Sequence, residues 1–109
     1  MKRMQMTVEN YTIFEAVKAK GGSREQLCKL QFKETEEEPV FSADTVIGRK
    51  KLVTLLDWAG VRYMGELKDK EFMVVFHEPY RQIYALGNEK GEFIKVNGDE
   101  DAIYAYSEL

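Results

Sequence analysis

Apolar residues recur at two different spacings along this 109-residue chain, and the spacing changes near its middle. From Val8 to Lys20, Tyr11, Ile13, Phe14, Ala16 and Val17 form a wide apolar face, which predicts a helix. Thr7 or Asn10 would cap it, and Gly21-Gly22 would end it in a left-handed turn. Ser23 followed by Gln26 then reads as a capping box, which predicts a second helix from Arg24 to about Gln31 with Leu27 and Leu30 inward. The same stretch has a rival reading, because Cys28, Leu30 and Phe32 alternate with Lys29, Gln31 and Lys33 at strand period. The capping box favours the helix. After a charged loop around Pro39, a third helix opens at Ser42 or Asp44. Its core face is Leu52, Leu55, Leu56 and Ala59, at i, i+3, i+4 and i+7. Gly60 stops it, and Val61 folds back over its last turn.

Beyond Gly60 the pattern turns to strands. Residues 61–66 and 71–76 read as a hairpin around a polar turn, and 81–86 and 92–96 as further strands separated by the Gly-bounded loop 87–91. Asn97-Gly98 is a turn signal. The tail 99–109 is open between a helix led by acidic residues and a strand containing Ile103, Tyr104 and Tyr106. The expected fold class is α+β: an N-terminal three-helix unit followed by an antiparallel β-meander. Nothing divides the chain, so residues 1–109 read as one domain.

Charge sharpens this picture. The net charge is -3, but it is unevenly spread. Residues 1–33 carry a balance of +4, 34–44 of -5, 45–70 of +3 and 71–109 of -5. A mildly basic first two-thirds is thus interrupted by an acidic loop holding Glu36, Glu37 and Glu38, and is followed by an acidic last third. Asymmetry of this kind bears on partners more than the net value does. Arg49, Lys50 and Lys51 are the densest basic cluster. On a helical wheel Lys50 falls opposite the core face and the other two flank it, forming a collar around the exposed side of one turn.

The order of elements resembles the winged helix-turn-helix superfamily over about residues 7–76. The likeness lies in AVKAKGGSREQLCKL, DTVIGRKKLVTLLDWAGVRY and GELKDKEF, matching first helix and turn, recognition helix, and wing. The resemblance implies duplex DNA as partner. Thr45, Arg49 and Lys50 would face the groove, Lys68 and Lys70 would sit on the wing, and Ser23 and Arg24 would touch phosphate. About ten residues, four of them Glu, separate the second and third helices, more than a compact helix-turn-helix uses. The acidic extension 77–109 lies outside the resemblance.

Little else in the sequence carries chemistry. Cys28 is the only cysteine and His77 the only histidine, so no internal disulfide and no His/Cys metal set is expected. The acids Asp99, Glu100 and Asp101 lack calcium-loop spacing. There is no phosphate-binding Gly-rich loop, and neither a cofactor nor an enzymatic activity is expected. No apolar run approaches a membrane span, no secretory signal is visible, and a cytoplasmic setting is expected. The aromatic residues of the acidic last third favour a core plus a protein-binding or dimer face over base stacking, which needs a positive surround.

The leading expectation is therefore a small DNA-binding regulator, with transcription regulation as its setting, whose acidic sheet dimerises or binds a second protein. The alternative is a protein-interaction module, such as an inhibitor or adaptor from a mobile element acting on a nucleic-acid-processing partner. That module would use the glutamate loop, Trp58, Tyr104 and Tyr106.

Overall fold

Residues 2–17 and 24–32 are extended, and this overturns the three-helix unit. The computed structural model describes residues 1–17, 21–79, 82–100 and 102–109. Strand β1 (Lys2–Val17) and strand β2 (Arg24–Phe32) replace the first two expected helices. Residues 18–20, where the first was expected to end, lie outside the described residues, as do Tyr80, Arg81 and Asp101.

β1 mimics a helix in sequence because, beyond a bulge, apolar residues stand on both of its faces: Tyr11, Ile13 and Val17 on one, Phe14 and Ala16 on the other. Its register against β2 slips between Val8 and Asn10, so Val8 pairs with Phe32 while Tyr11 pairs with Leu30. The set sharing the core-side face therefore passes from Met6 and Val8 to Tyr11 and the exposed Ile13, and a period of two acquires one step of three. The β-branched and aromatic content of Tyr11, Thr12, Ile13, Phe14 and Val17 suits a pleated surface better than a helix. In β2 the rival alternation is the observed one, with Cys28, Leu30 and Phe32 buried. Gly21 and Gly22 both have positive φ, but they lie between two strands and end no helix.

The chain continues through strand β3 (Val40–Ser42), helix α1 (Val46–Ala59), a 3-10 turn (Met64–Leu67) and strand β4 (Glu71–His77). Strands β5 (Gln82–Gly87), β6 (Glu92–Lys95) and β7 (Tyr104–Ala105) follow, and a last 3-10 turn spans Tyr106–Glu108. The seven strands among the described residues form one antiparallel sheet in the order β3-β2-β1-β4-β5-β6-β7. The winged-helix expectation fails on two counts. Among the described residues one helix stands where three were expected, and the first wing strand is a 3-10 turn whose Leu67 is buried in the core.

The single helix is where the sequence placed it, though it starts later. Thr45 is its N-cap, with Oγ1 accepting from Gly48 N at 3.0 Å. Asp44 instead accepts from Gln26 N on β2 at 2.6 Å, so it ties the helix entry to the sheet. Gly60 ends α1 at φ 70°, its N–H on Asp57 O, while Val61 N donates to Leu56 O. Gly48 lets the helix approach β3: a Cβ there would overlap the Ser42 carbonyl oxygen.

The main core lies between α1 and one face of the sheet. Leu52 and Leu55 pack among Met6, Val8, Leu30, Phe72, Val74, Leu86 and Ile94. On the other face, Val75, Ala85 and Phe93 are covered by Tyr84, Tyr104 and Tyr106. Gly87 admits this cover, because a Cβ there would overlap the Tyr106 hydroxyl. Among the described residues no helix is long and apolar enough to cross a membrane.

Candidate functional site

The residues expected to hold DNA are distributed over several places. Arg49 and Lys50 lie on the outer face of α1, between the exposed Val46 and Val53, along a hollow of about 450 Å³. Thr45 is used as the helix cap. Lys68 and Lys70 belong to the turn before β4, where Lys68 lines a different hollow with Lys33, Glu9, Asn10 and Gln31. Ser23 precedes β2, and Arg24 at its start pairs with Glu15 at 3.1 Å.

Lys51 corrects the idea of a three-charge collar. It is buried at 3% exposure, and its Nζ donates to Gly98 O at 3.0 Å and Val96 O at 3.4 Å. A buried ammonium needs such acceptors. The carbonyls that follow β6 provide them, so Lys51 pins the helix to the far side of the sheet.

The residues expected to bind protein divide similarly. Glu36 and Glu37 are exposed, whereas Glu38 is half-buried and faces Lys29 at 3.4 Å. Tyr104 and Tyr106 are turned inward, both stacked on Phe93. Two cations lie over them: Arg3 over Tyr106 and Lys95 over Tyr104, each 4.6 Å from the ring centroid. The Tyr104 hydroxyl is tied to Glu100, a bond that raises its pKa, and burial raises that of Tyr106. Tyr106 Oη donates to Asn88 O at 3.1 Å. This face of the sheet is satisfied within the chain.

Trp58 is different. It is half-buried against the core and lines a cleft of about 400 Å³ that draws on three elements. Helix α1 supplies Asp57 and Trp58, the start of β4 supplies Glu71 and Phe72, and the β5–β6 turn supplies Asn88, Glu89, Lys90 and Glu92. Four carboxylates face one ammonium, a formal balance of -3. The turn is held by Asn88, whose Oδ1 accepts from Lys90 N and Glu92 N, each at 3.0 Å, while its Nδ2 donates to Glu92 Oε1. Glu71 accepts from Gln5 Nε2 at 2.8 Å. These bonds fix two carboxylates in place.

The helix adds to the negative field. Its C-terminal end carries partial negative charge, and a cation in the last turn would ordinarily complement it. The last turn of α1 has no basic residue and contains Asp57. The cleft can thus take up a cation lying over an indole and among carboxylates. The hollow outside α1 is lined by one helix only and lacks such a floor. Sequence reasoning singled out Trp58 and the acidity of the last third but missed Asp57, Glu71, Glu89, Lys90 and Glu92. An aspartate at the negative end of a helix was the one local signal for them.

Buried Cys28 is a free thiol whose pKa burial pushes up to about 11, which keeps it unreactive. Among the described residues no group of three or more potential ligands could hold a metal ion. No family model, no curated protein and no solved structure matches this chain.

Proposed function

We propose that the protein is a non-enzymatic interaction module that receives a basic segment of a partner protein in the Trp58 cleft. The observation that carries this reading is one concave site combining an aromatic wall, a balance of -3 and the negative end of a helix. An Arg or Lys side chain would lay its apolar stem and charge over Trp58, with Asp57, Glu71, Glu89 and Glu92 around its head. Rim carboxylates would speed encounter and impose salt dependence, while the half-buried indole would hold the complex. An inhibitor or adaptor acting on a nucleic-acid-binding protein fits, since such partners present basic surfaces. The lone buried thiol suits a reducing, cytoplasmic setting. Duplex DNA was expected from a recognition helix and a wing. Without the wing, that reading keeps only Arg49 and Lys50 on an outer helix face as support.

Trp58 is the only tryptophan, so its fluorescence reports directly on the cleft. Titration with an Arg-rich peptide at low salt should shift its emission saturably, and the apparent affinity should fall as salt rises. Glu89→Lys with Glu92→Lys should weaken binding at least tenfold while the circular dichroism stays unchanged. An emission spectrum unmoved by basic peptide at low salt refutes the reading.

A further inference from the structure

β1 is paired along its whole length, but never on both edges for more than a residue or two. Residues 2–7 pair with β4, and from Val8 onward the pairing passes to β2 on the opposite edge. At the changeover, Val8 N donates to Lys70 O and Asp69 N donates to Val8 O, so the β4-side edge is occupied as far as Val8. Beyond it, among the described residues, no strand pairs with that edge of β1 from Asn10 to Val17. A bulge at its start and the charge of Glu15 are its only protections, for residues 10–17 hold no proline and no lysine. It also exposes apolar side chains, Ile13 at 52% and Val17 at 67%.

We propose that this edge pairs with the same edge of a second copy of the chain, forming an antiparallel dimer centred on Phe14. The register follows from geometry and charge. A two-fold axis normal to the sheet keeps the faces matched only if one residue meets its own copy. Centres at Tyr11 or Thr12 carry the second strand across Val8, where Asp69 and Lys70 already sit, and a centre at Ile13 carries it to Glu9, the bulged residue beside them. A centre at Thr12 also sets Glu9 against Glu15. A centre at Glu15 sets Glu15 against itself, and like charges directly opposite are unfavourable. A centre at Phe14 avoids these overlaps and leaves only its outermost pair, at Tyr11, short of one bond. Phe14 meets Phe14 of the second copy, Ile13 meets Glu15, Thr12 meets Ala16 and Tyr11 meets Val17. The ladder then stops short of Val8, and the Tyr11 N–H there is already taken by Asn10 Oδ1 at 2.9 Å. The result is a sheet continuous through two molecules. Its interface shares no residue with the acidic cleft, so it stands whether or not that cleft binds a basic segment.

Three measurements decide the proposal. Sedimentation of the unmodified chain should show a concentration-dependent dimer, and Phe14→Lys, which places two lysines face to face, should return it to monomer. Under mild oxidation Phe14→Cys should give mostly disulfide-linked dimer, because directly opposed residues lie roughly 4.5–5.5 Å apart between Cα atoms. Thr12→Cys should remain mostly monomeric, since the two copies of residue 12 would be offset by four residues, roughly 14 Å. Buried Cys28 does not compete. Binding of the basic peptide, read from Trp58, should be the same in Phe14→Lys as in the parent. A chain monomeric at every concentration overturns the proposal and leaves the edge to an extended segment of another protein. A dimer indifferent to Phe14→Lys, or one cross-linked equally at residues 12 and 14, overturns it too.

Discussion

The two halves of β1 are one continuous strand with opposite fates. Met6 and Val8, before the bulge, are each 1% exposed and packed against α1 and β4. Ile13 and Val17, after it, are as apolar but lie more than half in solvent. Composition does not separate them; the elements that come to lie over each half do. The first half has the helix, β4 and the 3-10 turn around it. The second has β2 beside it and the short β3 beyond, and only Tyr11 at its start packs against the main core. Stability is thus concentrated at one end of the strand, and surface available for contact at the other.

The largest effect should come from truncating the buried half. Met6→Ala should cost about 2–5 kcal/mol in denaturant unfolding. Ile13→Ala in dilute protein should stay within about 0.5 kcal/mol. Equal losses at the two positions would show that the ribbon packs as firmly as the core. An intermediate effect belongs to the junction. Glu34 accepts from Thr7 N with both oxygens, at 2.8 and 3.1 Å, on the edge that β2 vacates. Glu34→Ala leaves that part-buried N–H without its partner and should cost about 1–3 kcal/mol. Amide exchange around residues 5–8 should speed up with it, while residues 11–17 keep their own rate.

The smallest effect lies at the outer rim of the junction, where Lys33 Nζ and Asp69 Oδ1 meet at 3.0 Å in solvent. The hydrogen bond from Lys33 lowers the Asp69 pKa. A carboxylate lowered on folding contributes stability above its ordinary pKa and loses it as pH falls through the folded value. In Lys33→Met the Asp69 carboxyl, followed by NMR, should titrate at higher pH than in the parent. An unchanged midpoint would mean that the pair does not persist in solution.

What could be read from the sequence differs between the same regions. Helix α1 was legible because Leu52, Leu55, Leu56 and Ala59 hold one period and Gly60 ends it. Strands β4, β5 and β6 were legible because their apolar runs are bounded by turn residues. The N-terminal hairpin was not. Beyond the bulge both faces of β1 carry apolar residues, which blurs a period of two, and the Gly21-Gly22 and Ser23/Gln26 signals, genuine in a helical context, are outweighed by pairing across a sheet. Lys51 was misplaced for a related reason. A helical wheel assumes one packed face, whereas α1 is also approached by the turn after β6. Of the cleft, Trp58 and the acidity of the last third were visible. Its assembly was not, since Asp57, Glu71 and Glu89 lie far apart in sequence and meet only through the order of the sheet.

The extra residue at the bulge also governs what lengths this strand tolerates. Adding or removing two residues between Asn10 and Val17 shortens or extends the ribbon and leaves every remaining side chain on its own side. Removing one turns the outer strand over: Thr12, Phe14 and Ala16 take the side of Tyr11 and Ile13, while Met6 and Val8 do not move. Glu9 is therefore a phase setter. It separates a segment free to drift in length, in steps of two, from a segment whose length the core holds fixed.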